Sequence, residues 1–234
     1  MEATTLVISD KRMVTPTQLK RPTRLGDEVY NALYEQLMSR QIAPGGRISV
    51  DRLVRELGVS QTPIREALSR LEAQGLVVKA HLIGYSAANQ MDSARLDQLY
   101  ELRLLLEPFA ARRAASNMTE EAHATLVKLA AEMQAGEAGS QVETYGRFAQ
   151  LDSDFHDLIA HASGNELVQE TLANLHTHVH LFRLFYHARV TADAIQEHQQ
   201  IIEALAARDP QAAETAMRHH IERSRGRFAS AFER

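Results

Sequence analysis

The sequence predicts a mainly α-helical chain: an N-terminal winged helix-turn-helix, with three helices and a β-hairpin wing, followed by an all-α six-helix antiparallel bundle. The length of 234 residues suits two domains of ordinary size. Apolar residues recur at helical spacing over most of the chain, and strand-like segments occur only at about 76–79 and 84–87. We place a flexible N-terminal arm at 1–22, the winged domain at 23–88 and the helical domain at 89–234.

The winged domain is predicted from three short apolar stripes and the turn residues between them. The first stripe runs from Val29 to Leu37 and stops before the turn residues at 43–46. A second short helix is followed by the tight turn Gly58-Val59-Ser60, whose serine is placed to cap a third helix. Gly75 ends this third helix before the hairpin. The apolar side chains that the third helix turns inward are Ile64, Ala67, Leu68 and Leu71.

The second domain is predicted to be entirely helical because the helical period continues from residue 92 almost to the end of the chain. The six predicted helices cover about 92–115, 119–135, 141–162, 165–188, 191–207 and 210–232. The residues predicted to cap, open or break them are Asp92, Thr119, Gly136, Gly139, Gly164, Asn165, Thr191 and Pro210.

Composition and charge limit the kinds of metal site and binding partner that the chain can have. It has no cysteine, which excludes disulfides and cysteine-based zinc sites, so any metal must be held by nitrogen and oxygen. No apolar run is long enough for a membrane span or a signal-peptide core, which predicts a cytoplasmic protein with no membrane partner. Residues 1–90 hold 12 Lys/Arg against 9 Asp/Glu, whereas residues 91–234 hold 14 against 21. A basic front and an acidic back suit a DNA-reading module joined to a different kind of domain.

The third helix of the winged domain has a polar stripe opposite its apolar face. In a helix-turn-helix this helix lies in the major groove of double-stranded DNA, and the stripe contains Gln61, Thr62, Arg65 and Ser69. The hydroxyl of Ser60 and the first amides of the helix can bond phosphate, and Arg65 can reach a phosphate or a guanine edge. A solvated helix face would show the same pattern.

Four polar residues of the helical domain fall on faces that the periodicity assigns to the core. Asp152 and His156 lie four residues apart within an apolar stripe, so one helical turn points both the same way. His198 and His220 lie on apolar faces of the last two predicted helices. A divalent cation would satisfy these buried groups together. The alternative is that each is an ordinary buried side chain bonded to backbone.

Arg103 lies among the inward-facing residues of the first helix in this domain and therefore needs an anionic partner. Glu107, one helical turn away, can serve as that partner. His178 falls on an apolar side of its predicted helix, so it or Arg183 is a further candidate to line the effector pocket. Half-exposed packing is the more ordinary role for the histidines clustered at 176, 178, 180 and 187.

The segments Pro44-Gly45-Gly46-Arg47-Ile48 and Gly58 through Val77 resemble the DNA-binding domain of the GntR family of bacterial regulators, over about residues 25–87. The resemblance implies that the segment from Ser60 to Arg65 contacts the operator and that the hairpin enters the minor groove. The resulting set of DNA contacts is Arg47, Ser60, Gln61, Thr62, Arg65, Ser69, Arg70, Lys79, His81 and Gly84. The family usually has arginine where this chain has Gln61, and glutamine prefers adenine, so we expect a shifted base preference.

The helical half resembles the ligand-binding (FCD) domain of the FadR-like branch of that family, over about 92–230. In its metal-binding members one helix carries Asp-x-x-x-His and the last two helices each give one histidine. The matching ligands here are Asp152, His156, His198 and His220. The ion is expected to be zinc, with nickel or manganese as alternatives. Six helices rather than seven suggest the VanR-type subgroup.

The resemblance also implies a regulator, most often a repressor, that works as a homodimer on a two-fold-related operator and responds to a small carboxylate metabolite. The family pattern Glu101-x-Arg103-x-x-x-Glu107 has an arginine that often helps to hold an organic acid. The resemblance therefore implies a second possible partner for Arg103, the carboxylate of an effector that also binds the metal. Two rival hypotheses stay open: a regulator that senses the metal itself, and a metal-dependent hydrolase. Against the hydrolase, the sequence has no HExxH-like pattern and no dedicated general base beside the ligands.

Overall fold

The computed structural model describes residues 24–80, 84–135, 141–177, 180–181, 191–230 and 232, and within them one small sheet accompanies the helices. The first part of the chain forms α1 (Arg24–Met38), β1 (Arg47–Ile48), α2 (Val50–Leu57), α3 (Gln61–Ala73), β2 (Val77–Ala80) and β3 (Gly84–Ala87). The second part forms α4 (Ser93–Asn117), α5 (Glu120–Ala135), α6 (Gln141–Ala162), α7 (Glu166–Asn174), α8 (Thr191–Ala206) and α9 (Pro210–Ala229). The predicted fold class is confirmed. The predicted arm at 1–22 lies outside the described residues.

Capping residues determine where α2 ends and α3 begins in the helix-turn-helix. The Ser49 side chain accepts a hydrogen bond from the Arg52 amide at the start of α2, and Gly58 closes the helix at a left-handed φ of 66°. A residue with a Cβ is strained at that φ, so the glycine permits the sharp turn into α3. Ser60 occupies the N-cap position of α3 but makes no side-chain cap bond, so its hydroxyl stays available at the surface. The four predicted inward residues of α3 are all buried.

The wing contains one more strand than the sequence indicated. The two predicted strands pair antiparallel, with Val78 opposite Ser86, and β1 adds to the other side of β3, with Ile48 opposite Tyr85. The sheet order is β1-β3-β2. Two residues are too few to show the alternation by which a strand is recognised, which is why β1 was not predicted.

Helix α4 is the central element of the helical domain and packs against α6, α8 and α9. Its inward face carries Ala111, Ala114 and Ala115, all fully buried, and such small side chains let neighbouring helices approach closely. Pro108 lies within α4 without ending it. The side chains of the predicted caps Asp92 and Asn165 each accept a hydrogen bond from a backbone amide in the first turn of their helix. Gly164, at a left-handed φ of 67°, separates α6 from α7.

The prediction of one helix over 165–188 is wrong, because the helix in the structure is shorter. It ends at Asn174, and His176 takes the left-handed φ of 45° before helical backbone resumes at Thr177. Helical periodicity continues in the sequence on both sides of the kink, and neither glycine nor proline marks it, so the kink has no sequence signal. Residues 178–179 and 182–190 lie outside the described residues. Among the described helices, none is long and apolar enough to cross a membrane.

Candidate functional site

The four predicted metal ligands come together between three helices. Asp152 and His156 belong to α6, His198 to α8 and His220 to α9, and one ligand atom from each lies within 4.8 Å of the others. The three imidazoles are 0 to 6% exposed, so the cluster belongs to the core. Their ring centroids are 4.7 to 5.6 Å apart. The predicted grouping is therefore present, although the sequence could not give these distances.

Glu107 of α4 fixes the orientation of His156. The Nδ1 atom of His156 lies 2.6 Å from the Glu107 Oε2 atom, and the Arg103 Nε atom donates to Oε1 at 2.5 Å. Burial alone would raise the pKa of Glu107, but the Arg103 guanidinium and the His156 imidazole outweigh it and hold that pKa well below its usual range. A carboxylate at Nδ1 favours the tautomer that leaves the Nε2 lone pair facing the cluster.

Glu197 plays the same part for His220, and sequence reasoning did not identify it. His220 Nδ1 lies 2.8 Å from Glu197 Oε2, and Arg227 binds both oxygens of that carboxylate, at 2.6 and 2.8 Å. Burial lowers the pKa of His220 to about 3 against the opposing bond from Glu197, so the ring is neutral near pH 7. The signal in the sequence was that Glu197 directly precedes His198 and that Arg227 follows His220 by two helical turns.

The donor set fits a divalent transition metal. Among the described residues, neither ring nitrogen of His198 makes a hydrogen bond, although its Nε2 lies 3.1 Å from Asp152 Oδ1. Buried imidazole nitrogens are normally satisfied, and metals bind the neutral ring. Atoms that bind one ion at about 2.1 Å lie a few ångströms from one another, and the His198 Nε2 and Asp152 Oδ1 atoms already have that spacing. Three imidazoles and a carboxylate suit zinc, nickel or manganese.

The predicted effector residues are only partly described. Arg103 is 1% exposed and its guanidinium contacts both oxygens of Glu107, which is the structural alternative given above. Its contact with an effector stays a prediction, and such a contact would require Glu107 to move aside. His178 and Arg183 lie outside the described residues.

A cavity of about 240 Å³ adjoins the metal ligands. His156 and Glu107 form one side of it, Gln150 and Ser153 belong to α6, and Thr177 follows the kink after α7. Hydroxyl, amide and carboxylate groups therefore line part of a space that is large enough for a small molecule.

The DNA-facing side of α3 is exposed as predicted. Ser60, Gln61, Thr62, Arg65 and Ser69 all have exposed side chains. The Gln61 amide donates to Asp51 of α2 at 3.0 Å and accepts from Arg65 at 3.3 Å. Gln61 therefore orders Arg65 on the surface and ties this position to α2.

Arg70, which is also among the predicted DNA contacts, lies on a different side of α3 from these residues. Its guanidinium donates to Asp27 of α1 at 2.8 Å and lies over the Tyr30 ring at 4.2 Å. Nine residues separate Arg70 from Gln61, which is two and a half helical turns, so the two side chains point to opposite sides of α3.

The remaining predicted contacts are on or beside the wing. Arg47 in β1, Lys79 in β2 and Gly84 in β3 are exposed. Gly84 has a φ of 101° and nothing within 4 Å of the position of a Cβ atom, so its backbone is open to a close approach. His81 lies outside the described residues. Their contacts with DNA stay predictions.

An exposed polar recognition helix joined to a helical domain with a buried ligand cluster defines a class of DNA-binding transcription regulators. The family comparison gives the same class: the model for bacterial regulatory proteins of the gntR family matches residues 25–85, and that for the FCD domain matches residues 98–223. The chain therefore belongs to the GntR family of regulators and carries an FCD domain. The VanR-type subgroup stays a prediction.

Relatives and solved structures agree over nearly the whole chain. The transcriptional repressor RspR of Escherichia coli K12 is 29% identical over 212 residues, 90% of this chain and 91% of that protein. An uncharacterised regulator of Streptomyces ambofaciens is 30% identical over 83% of this chain and 80% of its own length. The fold matches Escherichia coli McbR/YncC, with a TM-score of 0.69, 24% identity and coverage of 89% and 98% of the two chains. These relatives are regulators, which confirms that the chain is a regulator rather than an enzyme.

Removal of the Glu107 carboxylate tests its structural role. Glu107→Ala leaves the Arg103 guanidinium buried without its counter-ion, which we expect to cost about 3–5 kcal/mol of unfolding free energy. The double variant Arg103→Met with Glu107→Met should recover part of that loss, because apolar side chains of similar length can replace a buried ion pair. Chemical denaturation of the three proteins measures both. Equal stability of Glu107→Ala and the unaltered chain would contradict the assignment.

Proposed function

We propose that this regulator is a repressor whose affinity for its operator is set by a small organic acid bound beside a divalent metal ion, most simply zinc, in the helical domain. The observation that supports this proposal most directly is the cluster of three buried imidazoles and one partly buried carboxylate next to a polar cavity. Asp152, His156, His198 and His220 would hold the ion. A bound cation attracts anions to an otherwise acidic domain and would supply a coordination position for a carboxylate.

A second candidate is a regulator that responds to the metal alone. It is favoured by the pairing of Arg103 with Glu107, which occupies the arginine predicted to hold the acid. The deciding experiment is calorimetric titration of small carboxylic acids into zinc-loaded and metal-free protein. Binding that requires zinc and changes DNA retention supports the metabolite. If no acid binds but zinc itself alters DNA retention, the metal-only regulator is the function.

The metal affinity should depend on Glu197 even though it is not a ligand. Glu197→Gln removes the charge that orients His220, and loss of such a supporting carboxylate typically lowers metal affinity by about 10- to 100-fold. Glu203→Gln is the matched control, because Glu203 lies on the exposed side of the same helix. Competition for zinc against a chromogenic chelator gives both constants. A Glu197 variant that binds zinc as tightly as the control would contradict the proposed role of Glu197 in orienting His220.

For DNA recognition we propose that the exposed side of α3, from Ser60 to Ser69, enters the major groove and that the wing follows the adjacent backbone. Arg65 and Gln61 lie together on that side, so a guanidinium and an amide can approach neighbouring base edges or a phosphate. The Ser60 hydroxyl and the first amides of α3 are placed for phosphate contact.

Arg65 and Arg70 give a matched pair on one helix. Arg65→Ala should weaken binding to a genomic fragment retained by the protein by about 1–3 kcal/mol, because a contact with the DNA is lost. Arg70→Ala should leave affinity little changed, because that guanidinium faces α1. Fluorescence anisotropy over a range of salt concentrations checks both. A larger effect from Arg70 than from Arg65 would reverse the assigned orientation of α3.

We propose that the second copy in a homodimer packs on α4. Leu102, Leu105 and Phe109 are 41%, 71% and 41% exposed and form one stripe at helical spacing. Glu101 precedes this stripe and Arg112 follows it, so an antiparallel pair of α4 helices brings the acidic end of each copy opposite the basic end of the other. A symmetric pair of this kind would also place the two winged domains so that each α3 helix can bind one half of a two-fold-related operator.

Leu105→Glu should dissociate the dimer, because it places a charge at the centre of the proposed apolar contact. Val127→Glu is the control, since Val127 is 43% exposed on α5, away from the stripe. Sedimentation velocity measures the mass of each variant. A Leu105→Glu protein that stays dimeric would place the interface elsewhere.

A further inference from the structure

The cavity beside His156 is closed on one side by the winged domain. Its walls include Ala173 of α7, His176 at the kink and Gln74 of the winged domain. Gln74 is the C-cap residue of α3, directly after the recognition helix. A molecule in this cavity would therefore touch both the metal-ligand helix α6 and the end of the helix that reads DNA.

The Gln74 side chain is already tied to the winged domain. Its Oε1 atom accepts a hydrogen bond of 2.6 Å from the Tyr30 hydroxyl of α1. The Tyr30 ring in turn lies under the Arg70 guanidinium, 4.2 Å from its centroid. A ligand group that draws the Gln74 amide toward it would lengthen the bond to Tyr30, so it would act on the packing between α1 and α3.

The two domains meet closely around this cavity. A Cβ atom at Gly75 would lie 3.2 Å from His180 Nε2, so the backbone after α3 approaches the segment that follows the kink. His176, at its left-handed φ of 45°, lines both this cavity and a larger cleft of about 690 Å³ between the domains. Strained conformations of this kind concentrate where a structure has a functional constraint.

We infer that Gln74 is an effector-contacting residue, through which a small hydrogen-bonding ligand in this cavity changes the placement of the recognition helix. The inference rests on the proposed function and specifies the residue by which it operates. The ligand would bear an anionic group toward the metal ligands and polar groups toward Gln74, Gln150 and Ser153, whose amides and hydroxyl can donate and accept hydrogen bonds.

Because the chain has no cysteine, a single cysteine introduced beside the cavity can be modified selectively, so that a small group is attached covalently within the cavity. The Ala173→Cys variant is modified with methyl methanethiosulfonate or with its 2-hydroxyethyl analogue, which place a small or a larger polar group in the cavity. DNA affinity is measured on a genomic fragment retained by the unaltered protein. We expect the two modifications to differ by at least about fivefold in affinity, the lower range of allosteric coupling. Ala124→Cys, on an exposed position of α5, should show no such difference.

Gln74→Ala in the Ala173→Cys background should remove the response while both proteins still bind DNA. Tyr30→Phe, which removes the same hydrogen bond from its other end, should reduce the response and serves as a second variant if Gln74→Ala unfolds. An unchanged response in both backgrounds, or equal affinities after the two modifications, would overturn the inference. Failure of the unaltered protein to retain any fragment would instead contradict the proposed function.

Discussion

The burial of imidazole and carboxylate side chains in an apolar helical core is the constraint on which the rest of the structure depends. Imidazoles and carboxylates cost free energy when they leave water, and they stay in a core only if partners satisfy them. Here two carboxylates, Glu107 and Glu197, each lie between an arginine and a histidine. Each arginine stabilises the charge of its carboxylate, and each carboxylate orients an imidazole, so the helices that hold these six side chains are fixed relative to one another.

Helix α4 relates this centre to the remainder of the protein. It begins directly after the wing, carries Arg103 and Glu107 on its inner side, and exposes an apolar stripe on its outer side. Under the proposed function, a change at the cluster of imidazoles could reach the winged domain by two routes, along α4 and across the cavity that Gln74 lines. Either route can alter DNA affinity only if the ligand favours one placement of the two winged domains over another.

Much of the fold and the ligand cluster followed from the sequence because both depend on helical periodicity, which assigns each residue to a face. Asp152 and His156 were identified because they interrupt an apolar stripe. The same reasoning could have placed Arg70, half a turn out of phase with Gln61, off the polar stripe of α3. It could also have included Arg227, two turns after His220, in the buried cluster. The kink at His176, with its left-handed φ of 45°, was not predictable, because no glycine or proline marks the position and the apolar period continues past it. Nor could periodicity show that Gln74 closes a cavity in the other domain.

The central claim is that three imidazoles and one carboxylate bind a single divalent ion in the core of the helical domain. X-ray absorption spectroscopy at the edge of the metal that copurifies, combined with its stoichiometry, tests this claim most directly. The structure predicts one ion per chain whose inner shell contains three histidine nitrogens, falling to two in the His198→Ala variant. A chain that carries no metal and unfolds at the same temperature with and without a chelator would contradict it.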